Sequence, residues 1–356
     1  MNLFSRRENG AAAIHLRVAV GATAAMAICG GLLAAQPASA AARLPARSTT
    51  APIAFVSNQT SGTVTPINTF TNRALGTVQV GKGPMWIAVT PNDKTAYVAN
   101  NSSGTVTPIN IATRKPGTAI TTGQGAEYVV VTPNGKTAYV SNTIANTVTP
   151  ISTATNHAGK PISAGAGPLV IGITPDSATA YVTDYGAGTV TPISTATNKP
   201  GKAIPVGKDP VFIAITPNGG TAYVANFGSN TVTPINTATN KPGKAIPVGK
   251  TPEVIAVTPN GKTAYVSDDA CTTCALLVGS VPAANAVTPI NTATNKAEPA
   301  IHVGKGPVDV VVTPNGKTVY VTNHRSDTVT PISTATRQAG KAIVVGTAPF
   351  AIAIAP

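Results

Sequence analysis

Charge is scarce in this chain. Only 10% of its 356 residues are Asp, Glu, Lys or Arg, against about 25% in an ordinary globular protein. That excludes a coiled coil and a charge-solvated disordered tail, both of which depend on dense charge. Aromatic residues make up 4%, with one Trp, and there are four His and three Cys. A zinc site needs about four ligands at short spacing, and the His residues are scattered, so no metal or cofactor is expected. Helix formers are also thin, which excludes a helical bundle. What remains is 42% hydrophobic residues, 33 Gly and 31 Pro, a mean hydropathy of +0.16, and an abundance of Thr, Val, Ile and Asn. That mixture builds an all-β protein with a large core and many turns.

The N-terminus carries an address. Arg6, Arg7 and Arg17 precede an apolar run over 18–35, which ends in Ala38-Ser39-Ala40. A basic stretch, an apolar stretch and a small-x-small end predict a signal peptide over 1–40, a linker over 41–50, and a secreted or cell-surface product. Ser5-Arg6-Arg7 allows the twin-arginine variant of that signal, and a retained membrane anchor is the alternative. No later segment approaches the ~20 apolar residues of a membrane span.

Everything after residue 50 is one unit repeated. Thr-Val-Thr-Pro-Ile begins at Thr63, Thr105, Thr147, Thr189 and Thr231, returns as Ala286-Val287-Thr288-Pro289-Ile290, and recurs at Thr328. The early steps are 42 residues; the step to Ala286 is 55, so that copy carries a 13-residue insertion around 269–281. A second marker keeps the same beat, as in Tyr97-Val98-Ala99-Asn100 and Tyr139-Val140-Ser141-Asn142. Each unit reads as four short strands, A to D. In the middle copy A is Phe212 to Thr216, B is Thr221 to Asn226, C is Thr231 to Asn236, and D lies around Ala245 to Val248. Four strands per ~40–45 residues is the beat of a propeller blade. The expectation is a seven-bladed β-propeller over 51–356 with antiparallel blades. The Pro of Thr-Val-Thr-Pro-Ile falls inside strand C, where a bulge or an early end to pairing is expected. The first copy lacks strand A, and the chain ends in a lone strand A from Phe350. That strand is therefore expected to complete the first blade and close the ring.

Tyr320-Val321-Thr322-Asn323 spells the signature of the YVTN-type β-propeller repeats, and residues 51–356 resemble that family throughout. The resemblance implies a secreted or surface-layer-type protein. Looser relatives by fold include lactonases, a streptogramin lyase and redox subunits, so the fold alone names no activity.

A–B and C–D turns emerge on one face of a propeller, B–C and D–A loops on the other. The first set is nearly uniform between copies; the second varies. One asymmetric ligand must break the sevenfold pattern, so the variable face is the better candidate. The start of strand A rings the mouth of the channel there, with Trp86, Glu127, Tyr128, Phe212, Glu253, Asp309 and Phe350; B–C loops add His324 and Arg325. Convergent aromatic and polar groups in a concavity predict a binding site. Asp309 and His324 share a blade and suggest an acid–His pair, with Glu253 and Glu127 as further carboxylates. The bland reading is packing between blades for the aromatics and solvation for the acids.

Two features lie apart from the mouth. Cys271 and Cys274 fall in the insertion, and an even pair in a secreted chain predicts a disulfide. Fifteen Lys and Arg fall at or beside A–B and C–D turns against three acids, whereas the mouth face has five bases against eight acids. A basic face suits an anionic wall polymer or nucleic acid, or simply keeps the protein soluble. The first functional reading is a monomeric binding or scaffolding module with a small molecule, glycan or protein at the mouth. The second is an extracellular lactonase- or lyase-like enzyme using Glu127, Glu253, Asp309 and His324. The third is polyanion binding by the basic face.

Overall fold

Strand B of the middle copies, such as Thr137–Asn142, is buried along nearly its whole length. A strand reading Thr-Ala-Tyr-Val-Ser-Asn is apolar on both pleats, and it suits a sheet whose two faces both pack on neighbours. That is the situation inside a radial array of blades. The computed structural model describes residues 53–69, 71, 73–269 and 285–352. The expected signal peptide and linker, and Cys271 and Cys274 with their expected disulfide, lie outside the described residues.

The described residues form seven antiparallel sheets and no helix. The third blade is typical: strand A (Ala126–Val131), B (Thr137–Asn142), C (Thr147–Ser152), then D. Strand A heads blades 2 to 7 at Pro84–Val89, Ala126–Val131, Pro168–Ile173, Pro210–Ile215, Pro252–Val257 and Pro307–Val312. These strands lie side by side and line the channel. Blade 1 begins with its strand B, Ile53–Asn58. The all-β seven-bladed propeller is the fold.

Strand D departs from expectation. It is two short pieces, His157–Ala158 and Ile162–Ser163 in blade 3, pairing with opposite ends of strand C. The break falls opposite the strand C Pro. No bulge occurs at that Pro, contrary to expectation: Tyr139 faces Pro150 in an unbroken B–C register. The reason is directional. N and O of one residue point to the same side of a strand, and the Pro150 carbonyl accepts from Gly159 on the D side. The missing donor therefore faces outward, and the cost falls on strand D alone. The bulge sits instead at the start of strand A, between Ala126 and Tyr128 in blade 3 and at the same place in blades 2 to 7.

The repeated signature on strand B explains how blades hold one another. Its Tyr donates to an Asn in the C–D turn of the next blade: Tyr97 to Asn156, Tyr139 to Asn198, Tyr181 to Asn240 and Tyr223 to Asn295, each at 2.6 Å. Burial pushes Tyr139 and Tyr223 up to about 12, so they stay protonated donors. Each of those Asn residues has positive φ, 51 to 56°, which Asn tolerates better than most side chains. The third residue serves the bulge. Tyr128 N, orphaned from the ladder, donates to Ser141 Oγ, and Ser141 Oγ donates to the Leu169 carbonyl of the next strand A. The fourth residue caps its own blade: Asn142 Nδ2 donates to Thr147 and Thr149 Oγ1.

At the closing seam, Thr322 Oγ1 donates to the Phe350 carbonyl, the bond that Ser141 makes to Leu169 and Ser267 to Val308. Phe350 thus occupies the strand A position next to blade 7. Ile352 N donates to Asp309 Oδ2 at 2.9 Å. Residues 353–356 lie outside the described residues. Ile343 of blade 7 is 48% exposed, whereas its counterparts in blades 2 to 6 range from 2% to 8%.

Candidate functional site

The mouth is built by a simple offset. The first residue after strand B meets the second residue of strand A in the next blade, 26 positions on. Gln59 Nε2 reaches Met85 Sδ, Asn101 Nδ2 donates to Glu127 Oε2 at 2.6 Å, and the His324 ring meets Phe350 edge-on at 6.1 Å. The same offset assigns Tyr185 to Val211 and Phe227 to Glu253. Because both members of each pair vary between copies, the rim carries different chemistry at each blade boundary.

The aromatic side of the rim is formed by the third residues of strand A. The bulge there frees this residue from the strict alternation of the ladder. Trp86 and Tyr128, on adjacent blades, stack with ring centroids 4.6 Å apart and planes at 30°. Trp86 is 38% exposed. Glu127, beside Tyr128 in sequence, is half-buried and held by Asn101. The structure therefore stacks two of the expected site residues, Trp86 and Tyr128, with Glu127 next to Tyr128 in the chain. Phe212 is different: it packs against the core between blades 5 and 6, with Tyr223 and Ile255. Glu253 lies half-buried on strand A of blade 6.

The expected Asp309–His324 pair is not formed. Asp309 Oδ1 accepts from Val310 N and Oδ2 from Ile352 N, while His324 Nδ1 has no partner. Burial pushes the Asp309 carboxyl up to about 6 against the lowering effect of those two amides. Asp309 thus ties the closing strand. Arg325 is committed to Asp269: its guanidinium meets the Asp269 carboxylate at 2.6 Å and also donates to the Asp269 carbonyl, at the start of the insertion.

Sequence reasoning passed over two partners. Asn101 was one loop residue among many, and only the 26-residue offset singles it out. Asp268, the last residue of strand B in blade 6, is fully buried and its carboxyl is pushed up to about 7 by burial. Where other copies supply two Thr hydroxyls, blade 6 has Ala286 and Thr288, so Asp268 Oδ2 accepts from Thr288 alone and Oδ1 has no partner. Among the described residues no group of three or more His, Cys, Asp or Glu is placed to hold a metal ion.

A family model described as "Lactonase, 7-bladed beta-propeller" matches residues 112–337. No curated protein sequence matches the chain. Among solved structures it is similar to hydrazine synthase of Kuenenia stuttgartiensis, 24% identical with a TM-score of 0.63, covering 80% of this chain and 94% of that one. It is also similar to putative 6-phosphogluconolactonases of Bacteroides fragilis and Bacteroides uniformis. The first is 18% identical, with a TM-score of 0.63 and coverage of 86% and 98%. The second is 17% identical, with a TM-score of 0.61 and coverage of 81% and 93%. At these identities the likeness is one of fold.

Proposed function

Because the chain belongs to the seven-bladed β-propeller lactonase family, we propose that it opens a lactone ring at the channel mouth. The observation that carries this reading is Glu127, clamped by Asn101 beside the exposed Trp86–Tyr128 stack. A flat, partly apolar ring lies well on such a surface. Glu127 then acts as general base: water adds to the lactone carbonyl carbon as its proton passes to the carboxylate. The ring C–O bond breaks, and the proton ends on the departing alkoxide oxygen to give a hydroxy acid. The strand A residues of blades 2 to 7 include Glu127, Glu253 and Asp309 and no Lys, Arg or His. On the mouth face acids outnumber bases, eight against five, which favours an uncharged lactone over a phosphorylated one.

Hydrolysis of D-glucono-δ-lactone by the full chain is the test, with its 6-phospho derivative as the comparison. Glu127→Gln is expected to lower kcat by about a hundredfold or more, and Trp86→Ala to raise KM. Turnover unchanged in Glu127→Gln would sink the assignment. A second reading, a secreted binding module without turnover, is favoured by the separation of Asp309 from His324. Since Trp86 is the only Trp, a sugar that quenches its fluorescence without being hydrolysed would select that reading.

A further inference from the structure

The face opposite the mouth carries a charge pattern that the lactonase reading does not use. All fifteen of its Lys and Arg side chains are exposed: Lys94, Lys136, Lys262 and Lys317 in the A–B turns, Arg114 and Arg337 in the C–D turns, and nine more along the split strand D that follows those turns. Among the described residues of this face an ion pair is formed by Arg337, with Glu298. Of the other two acids on this face, Asp176 is engaged by Thr174 and the Ala178 amide within its own turn. Like charges at such density repel and favour neither folding nor compactness. A chain with so little charge overall has concentrated its cations here.

The turns that carry them are joined into one surface. Within a blade the C–D turn bonds to the A–B turn, as Thr153 N to the Lys136 carbonyl and Thr334 N to the Lys317 carbonyl. Lys136 N, Lys262 N and Lys317 N are each fixed by an Asn Oδ1. Between blades the A–B turns touch: a Cβ on Gly135 would stand 3.5 Å from Pro91, and one on Gly219 3.3 Å from Pro175. The backbones are therefore held in place while the ammonium groups project into water, repeated with each blade.

We propose that this face binds a linear polyanion lacking bases, such as an anionic polysaccharide or a polyphosphate-type polymer. Twelve of fifteen cations are Lys, a point charge without the fork geometry of Arg. They suit diffuse repeated charge better than a single shaped anion. Nucleic acid is disfavoured because base recognition on single strands rests on stacking aromatics, and these turns offer no array of them.

The experiment titrates the full chain with inorganic polyphosphate, polygalacturonate and oligo-dT matched in charge, at several salt concentrations. Affinity for polyphosphate or polygalacturonate should fall about a hundredfold or more between 50 and 200 mM NaCl, because released counterions drive binding. Whichever of the two binds more tightly tells phosphate from carboxylate as the preferred anion. Lys199→Gln, Lys202→Gln, Lys241→Gln and Lys244→Gln together should weaken binding about tenfold and flatten the salt dependence. The same four changed to Arg should retain it, and the Trp86 emission reports that both variants are folded. Unchanged affinity in the Gln variant, salt-independent binding, or tighter binding of oligo-dT would each overturn the proposal.

Discussion

Asp268 shows how much one atom matters in a repeat. Five other copies place Asn here, and Asn226 Nδ2 donates to both Thr231 and Thr233. Asp268 can only accept when ionised, and it has a single Thr donor. Its folded pKa, about 7, lies above the ordinary carboxyl value, so between roughly pH 4 and 7 the folded state holds more protons than the unfolded one. Stability should therefore fall as pH rises through that window and stay level above it. Asp268→Asn should raise stability at pH 8 by on the order of 2 kcal/mol and leave it almost unchanged at pH 4. Chemical denaturation at the two pH values checks this; an equal gain at both would show that titration is not the cause. Tyr139→Phe is expected to cost about 1 kcal/mol, the net worth of one intramolecular hydrogen bond. A melt of the variant that coincides with the parent would show that the bond to Asn198 contributes nothing.

At the scale of elements, strand A at the chain terminus is the piece on which closure depends. Its anchors are the Thr322 bond to Phe350 and the Asp309 bond to Ile352. Removing residues 350–356 should lower the melting temperature substantially, while Asp309→Ala, which frees only one amide of that strand, should lower it less. The truncated protein melting with the parent would show that the ring does not need this strand. The repeat made the blades legible: two markers at a constant step assign A, B and C without ambiguity. The bulge was misplaced because Pro150 looks disruptive when counted as a missing donor, and harmless once the side it faces is known. The split of strand D follows from the same geometry and has no separate signal in the sequence. The Tyr–Asn bonds were hidden for another reason: a Tyr between two apolar residues reads as core, and its partner lies 59 residues away.

For the whole molecule, symmetry was the informative quantity. The copies disagree at the start of strand A, where Trp86 and Tyr128 stack and Glu127 accepts from Asn101. That Asp309 turns to the Val310 and Ile352 amides rather than to His324 was not readable, since the bulge decides where its carboxyl points. The two faces should also act independently. The turn lysines are remote from the mouth, so their replacement by Gln should leave gluconolactone hydrolysis unaltered within about 0.5 kcal/mol of activation free energy. A larger loss would mean that the faces communicate.

The Tyr–Asn bonds are unevenly distributed, and that has a consequence for how the ring comes apart. They join blades 2, 3, 4, 5 and 6 in an unbroken series. At the boundary of blades 1 and 2 the corresponding residues are Phe55, which has no hydroxyl, and Arg114; at that of blades 6 and 7 they are Tyr265 and Arg337, which is committed to Glu298. Blades 1 and 7 flank the closing seam and, among the described residues, are the two without this rivet to blades 2 to 6. In an array where each unit leans on its neighbours, failure starts at the weakest junction and travels outward. Amide hydrogen exchange should therefore find a protected five-blade arc and two outer blades that open more readily. The circle behaves as a clasp, with its hinge stock in the middle of the chain and its catch where the two ends meet.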